Sequence, residues 1–294
     1  MVLGRPLFLV GGMVFYGLGV VAARAGGALI DWSLAGLGLL TVAMAQLMNH
    51  YSNDYFDREA DAANQTPTPW SGGSRVLTEG RLPARAALAG ALGTGGLGLA
   101  LALVAARLAP MPLVALAALL TGIVFAWLYS GPPLFLHRRG LGELVGALVV
   151  PGMPALVGYV LQAGGVGGEL LLALVPLCLL QFAMLVAVSL PDAAGDAQVG
   201  KLTLAVLWGR RRAAQLYVVA LLVACLTLPL IGLAGLRWPV ALAPIGALPI
   251  VVWNSWRVAR GAWAKPEAWA SLGFWSIGQL VASGGLMLLG FVAG

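Results

Sequence analysis

Charge is the first thing this chain lacks: 10% of its 294 residues are Asp, Glu, Lys or Arg and 60% are hydrophobic, whereas roughly a quarter of a soluble domain is charged. A mean hydropathy of +0.92 excludes a soluble globular chain and makes this a polytopic membrane protein. Cysteine is equally scarce. Cys178 and Cys225 each sit inside an apolar run, with no Cys-x-x-Cys and no histidine beside them, which excludes a disulfide framework or a zinc site and leaves both as packing residues. Long soluble stretches are also missing, since joins such as Gly164 to Gly168 leave no room for a second domain. Residues 1–294 are therefore expected to form a single membrane domain. The net charge of +6 would point a soluble chain toward nucleic acid; here it is read as membrane topology, with no nucleic-acid partner.

What is present is a series of apolar runs. A membrane helix needs about 20 mostly apolar residues, and nine segments qualify, near 6–24, 31–56, 84–106, 111–129, 143–163, 169–190, 214–236, 238–257 and 270–292. The expected fold is an all-α bundle of nine transmembrane helices. The first run is too long for a signal-peptide core, although Ala23-Arg24-Ala25 mimics a cleavage site. With the N-terminus cytoplasmic, only Arg24, Arg107 and Arg237 fall on the outer side, leaving 14 of the 17 basic residues inside. The positive-inside rule then sets the N-terminus in the cytoplasm and, with an odd number of spans, the C-terminus outside.

Two longer polar connections, roughly 57–83 and 191–213, face the cytoplasm in this topology. Asn53, Asp57 and Asp61 recur four residues apart at the mouth of the first, so a helix there presents three oxygen-bearing side chains on one face. The second repeats this grammar with Asp192 and Asp196, followed by Gly200 and Lys201. Either pair alone suits a solvated helix end. Facing each other across a cavity, they could share Mg²⁺ ions that bridge a diphosphate, because magnesium is commonly held by a few carboxylates plus substrate phosphate. Asp54 lies about 100° round the helix from that face and is expected to support it.

Arg75 and Lys201 lie in the same connections, where they could neutralise the remaining phosphate oxygens. Topology alone also places basic residues there; for Arg75 both explanations stand, while Arg210, Arg211 and Arg212 fit topology and contact with anionic lipid. A third connection carries Tyr129, Ser130 and Gly-Pro-Pro, then Arg138, Arg139 and Glu143. Its prolines stop a helix, and Tyr129 also fits an interfacial belt.

Asn-Asp-x-x-Asp-x-x-x-Asp at 53–61, Asp-x-x-x-Asp at 192–196 and Gly-Lys-x-Thr-Leu-Ala-Val at 200–206 resemble the signatures of the UbiA-type intramembrane prenyltransferases. The resemblance covers nearly the whole chain. It implies a helical bundle that binds Mg²⁺ and a polyprenyl diphosphate at its aspartate-rich loops, with the chain in a cavity open to lipid. Asn53, Asp57, Asp61, Asp192 and Asp196 match the metal-diphosphate positions, the four aspartates and Lys201 being the catalytic set. Asn53, Arg75, Tyr129, Ser130, Arg139 and Lys201 are the implied substrate contacts. Tyr-Ser-Gly-Pro-Pro-Leu at 129–134, Arg-Gly-Leu-Gly-Glu at 139–143 and Gly-Lys-Leu-Thr-Leu-Ala-Val at 200–206 look most like the menaquinone branch, whose small aromatic acceptor is 1,4-dihydroxy-2-naphthoate. Val188 to Pro191 depart from that branch, and 53–61 also resembles chlorophyll synthases and archaeal lipid-forming relatives. Other acceptors, 4-hydroxybenzoate, chlorophyllide or a glyceryl-phosphate lipid, therefore stay open.

The expected chemistry is ionisation of the allylic C–O bond, with diphosphate steadied by Mg²⁺ and Lys201 in a low-dielectric site. Phe56, Trp127 and Tyr129 are candidate walls that keep water from the cation. A cation-coupled transporter is the alternative from another class, but its acids would sit mid-membrane rather than at helix ends. An alcohol phosphotransferase would need Asp-Gly-x-x-Ala-Arg, which is absent. The oligomeric state is left open by the sequence.

Overall fold

A computed structural model describes residues 3–294. The chain begins with α1 (Pro6–Ala25), α2 (Trp32–Phe56) and a short α3 (Arg58–Ala63), then α4 (Ala84–Leu108), α5 (Pro112–Ser130), α6 (Gly142–Ala163) and α7 (Gly168–Ser189). Two more short helices follow, α8 (Ala193–Gln198) and α9 (Leu204–Leu207), before α10 (Gly209–Leu233), α11 (Trp238–Leu242), α12 (Leu248–Ala259) and α13 (Pro266–Ala293). Among the described residues nine helical segments are long and apolar enough to cross a membrane, with α11, a 3₁₀ turn at Ala243–Ala247 and α12 together making the eighth. The protein is a multi-pass integral membrane protein.

Local chemistry explains the helix ends. Pro6, Pro112 and Pro266 open α1, α5 and α13, in the first turn, where a missing amide hydrogen costs no helical bond. Asp31 Oδ1 caps α2 by accepting from the amides of Ser33 (2.9 Å) and Leu34 (3.0 Å). Two runs differ from expectation. The segment expected at 214 begins at Gly209, because Arg210 to Arg212 continue the helix beyond the apolar zone. The eighth span is not one rod, since Pro244 and Pro249 each remove an amide donor and the backbone tightens to 3₁₀ between α11 and α12.

The helices pack by close approach of small residues. A Cβ at Gly19 of α1 would lie 1.9 Å from the Ala155 carbonyl oxygen, and one at Gly158 of α6 would lie 2.4 Å from the Tyr16 carbonyl, so the two helices meet backbone to backbone. One apolar core gathers around α7, including Leu170, Leu177 and Leu190, and a second joins α1, α2, α4, α5 and α6. Cys178 and Cys225 are free and pack against the first. At one end of the bundle Arg5 pairs with Asp54 at 2.8 Å; at the other, Arg237 pairs with Glu169 at 3.0 Å and donates to the Ala25 carbonyl. The Arg5 end carries both acidic segments.

Candidate active site

The acidic face survives a break in its helix. Helix α2 ends at Phe56 and α3 starts at Arg58, yet the amides of Asp57 and Asp61 still donate to the carbonyls of Asn53 (2.8 Å) and Asp57 (2.9 Å). All three side chains therefore line one cavity. On the facing side Asp196 N donates to the Asp192 carbonyl at 2.8 Å around α8. Helices α3 and α8 pack on each other, and Gly195 makes this possible: a Cβ there would lie 2.9 Å from the amide nitrogen of Asn64. Asn64 then donates to Asp192 Oδ1 at 2.7 Å, and the Gly72 amide donates to Asp192 Oδ2 at 3.2 Å.

Lys201 joins the halves. Its ammonium lies 2.9 Å from Asp57 Oδ2 and 3.4 Å from Asp196 Oδ1, and its amide donates to the Asp196 carbonyl at 2.9 Å. Asp57, 3% exposed, is the hub. Its Oδ1 contacts His137 Nε2 at 2.6 Å and Arg138 Nη2 at 3.3 Å, and its Oδ2 also accepts from Asn53 Nδ2 at 3.1 Å. His137 is fixed from behind, with Nδ1 2.6 Å from the Tyr129 carbonyl; a carbonyl only accepts, so Nδ1 donates.

These contacts set the charges. Burial would raise the Asp57 pKa, but Lys201 and His137 outweigh it and hold the carboxyl far below its usual range. Burial likewise opposes the Lys201 charge, and Asp57, Asp196 and Asp192 reverse that, raising its pKa. Asp61 moves the other way, pushed up to about 8 by burial and by the Asp57 charge, and Asp192 is pushed up to about 7 by burial, with the Asp196 charge adding to it. Burial also raises Asp196. One carboxylate is thus firmly charged, while burial raises the pKa of its neighbours, so that protons there would compete with an arriving cation.

The cavity, about 320 Å³, runs from this charged end into an apolar body walled by α2, α5, α6 and α7, with Leu119, Ile123, Val150, Met153 and Leu185 among its lining. Of the residues expected at the site, Asn53, Asp57, Asp61, Tyr129, Asp192, Asp196 and Lys201 line it. Ser130 is buried beside it, its hydroxyl oxygen accepting from Asn53 at 3.1 Å. Arg75 and Arg139 do not line it. The Arg75 guanidinium donates to the Asp61 carbonyl, which makes Arg75 a brace for the acidic turn. Arg139 is exposed, and its segment is pinned by backbone bonds on either side, Gly140 N to Leu202 O (2.7 Å) and Leu202 N to Arg138 O (3.0 Å). That pairing anchors the strand-like approach to Lys201 rather than aiming a side chain at substrate. Phe56 and Trp127 also miss the cavity and meet each other edge to face, centroids 5.9 Å apart. Asp54 supports from outside the acidic face, accepting from Arg5 and from the Ser74 amide at 3.2 Å.

His137, Asn64 and Arg5 belong to the site and were not singled out in the sequence. Arg5 lines the cavity, and its Nε has no partner. Whether the site suits a divalent cation can be judged from its oxygens. Among the described residues no three acidic, His or Cys side chains close into a ready-made cage. Asp196 Oδ2 is buried without a partner, and a Cβ at Gly73 would lie 2.0 Å from Asp61 Oδ2, so bare backbone leaves room for that carboxylate. Few carboxylates, some oxygens unclaimed, and a cavity that Asp61, Asp192 and Asp196 all line fit magnesium, which takes its remaining ligands from water and phosphate.

The profile of the UbiA prenyltransferase family matches residues 13–278. The digeranylgeranylglyceryl phosphate synthase of Natronomonas pharaonis is 30% identical over 285 residues, 92% of each chain. That of Methanopyrus kandleri is 30% identical over 225 residues, 74% of this chain and 73% of its own. A UbiA homolog from Archaeoglobus fulgidus bound to GPP and Mg²⁺ superposes with a TM-score of 0.68 at 17% identity, over 97% of this chain and 98% of that one. The apo UbiA homolog from Aeropyrum pernix K1 gives 0.68 at 18% identity over 97% of each.

Proposed function

Since this chain belongs to the UbiA prenyltransferase family, we propose that it transfers an isoprenyl chain from a polyprenyl diphosphate to a glyceryl-phosphate lipid. The observation that carries the donor half is Lys201, held between two acidic helices at the mouth of an apolar cavity. Asp61, Asp192 and Asp196, with Asn53, are the residues that would hold Mg²⁺; Asp57 would join them only on releasing one of its four donors. Magnesium bound there supplies Lewis-acid charge to the leaving diphosphate.

The chain's own groups do the rest. Lys201 offers a fixed cation to the diphosphate oxygens as the allylic C1–O bond breaks, in a site dry enough for that charge to count. The apolar body holds the hydrocarbon and keeps water from C1. A bond from the acceptor oxygen to C1 forms as the C1–O bond to diphosphate breaks, and the acceptor hydroxyl's proton leaves with the departing diphosphate. Arg5, on the same cavity with an unsatisfied Nε, is placed to meet the acceptor's phosphate.

The acceptor reading moves away from the naphthoate that the sequence motifs favoured. The relatives above are named for a glyceryl-phosphate lipid product, and the menaquinone-like stretches have structural work in this fold. Glu143 Oε1 accepts from the Leu204 amide at 2.9 Å, and Arg139 is exposed. Naphthoate is the second reading, on the strength of residues 129–134 and 200–206. The positive-inside asymmetry supports placing the site on the cytoplasmic side. Purified protein given Mg²⁺, geranylgeranyl diphosphate and either geranylgeranylglyceryl phosphate or 1,4-dihydroxy-2-naphthoate, with products read by mass spectrometry, tests this. A diether product supports the proposal; a prenylated naphthoquinol with no diether overturns its acceptor half.

A further inference from the structure

The broken eighth span creates a second concave surface, on the outside of the bundle. Where Pro244 and Pro249 disturb the helix, Ile245, Leu248, Pro249, Val252, Trp253 and Trp256 line an apolar groove that shares no residue with the catalytic cavity. It faces outward: Ile245 is 48% exposed, Val252 58% and Trp256 55%. An apolar groove on a membrane protein suits any hydrocarbon chain. What distinguishes this one is its upper rim. Arg257 lies over the Trp253 ring, 4.5 Å from its centroid, and Arg260 over the Trp256 ring at 5.4 Å, so the two tryptophans that wall the groove each carry a guanidinium.

The two arginines differ in how they are held. Arg257 is tied to α13 by bonds to Ser271 Oγ (3.2 Å) and the Ala268 carbonyl (3.3 Å), whereas Arg260 is exposed. Lys265, also exposed, follows on the same turn, and Glu267 is the one acid in the first turn of α13. A guanidinium stacked on a ring keeps its edge N–H groups free for phosphate oxygens. Hydrocarbon channel and cationic rim are in register, chain below and anion above.

We propose that this groove is a site for one anionic phospholipid of the surrounding bilayer, with an acyl chain along Ile245, Val252 and Trp256 and the headgroup phosphate on Arg257 and Arg260. Charge complementarity selects the occupant. A zwitterionic lipid fills the groove equally well but gains less at the rim, because its own cation opposes the arginines. Each arginine is expected to favour the anionic lipid about fivefold, the equivalent of roughly 1 kcal/mol per cation near an anionic surface.

The test uses the whole protein in phosphatidylcholine nanodiscs, doped at equal mole fraction with brominated-chain phosphatidylglycerol or brominated-chain phosphatidylcholine, and reads tryptophan quenching. The expected result is stronger quenching by the brominated phosphatidylglycerol. That excess disappears in Trp253→Phe/Trp256→Phe, falls about fivefold in apparent affinity in Arg260→Gln, and falls further in Arg257→Gln/Arg260→Gln. Because Arg257 also braces α13, the Arg260→Gln variant decides the matter if the double variant does not fold. Equal quenching by the two lipids, an excess undiminished in Arg260→Gln, or an excess that survives loss of both tryptophans overturns the proposal.

Discussion

Replacing Lys201 with Met removes the one cation that, among the described residues, pairs with both Asp57 at 2.9 Å and Asp196 at 3.4 Å. Two consequences follow, with opposite signs. A preorganised cation aimed at a developing anion contributes about 10²–10³ to kcat, or roughly 3–4 kcal/mol, so Lys201→Met should lower kcat for diphosphate release by that factor. At the same time the site becomes one unit more negative and loses a competitor for its carboxylates, so substrate-free protein should bind Mg²⁺ more tightly. Labelled geranylgeranyl diphosphate with acid-stable product counting gives the rate, and isothermal titration calorimetry without donor gives the metal affinity. Collapse of the loops would weaken both together. A kcat within about threefold of the parent, or a Mg²⁺ affinity that falls along with kcat, refutes the role given to Lys201 here.

Four further outcomes follow from the same geometry. Burial pushes Asp61 up to about 8 and Asp192 up to about 7; protons then compete with the cation at lower pH, so Mg²⁺ affinity should rise as pH climbs from about 6 to about 8.5, with buffer-dependent proton release, and a flat profile would count against it. Gly195→Ala puts a methyl 2.9 Å from the Asn64 amide and should cost about 1–3 kcal/mol of stability by overpacking, read as a lower Tm, together with a weaker Mg²⁺ affinity as α3 and α8 part. Arg139→Ala, at an exposed side chain, should leave stability within about 0.5 kcal/mol and kcat near the parent value, which a steady-state assay checks. Arg5→Gln should raise KM for the acceptor more than KM for the donor; equal changes would place Arg5 outside the acceptor subsite.

The nine spans were legible because hydropathy reports where a backbone must leave water; apart from the break in the eighth, only their ends moved. Arg210 to Arg212 show why: charge ends the apolar run at the interface, but intrahelical hydrogen bonds carry α10 on to Gly209. The break in the eighth span was written as Pro244 and Pro249, yet a hydropathy count treats proline as a residue like any other. The acidic pairs were legible because i, i+4 spacing is a local property of a helix. Their partners were not, since His137, Asn64 and Arg5 reach Asp57, Asp192 and Asp54 across 80, 128 and 49 residues, and nothing local marks such contacts. Arg139 is the converse case: a motif records that a stretch matters, and what the fold shows of this stretch is backbone pairing with Leu202 beneath an exposed side chain.

The most direct test of the central claim is a structure of the protein with Mn²⁺ and geranylgeranyl thiodiphosphate, using the anomalous signal of the metal. The account predicts metal density between α3 and α8, bounded by Asp61, Asp192 and Asp196, with the diphosphate against Lys201 and the hydrocarbon beside Met153 and Leu185. Metal or diphosphate bound away from Lys201, with α3 and α8 still packed as they are here, would contradict it.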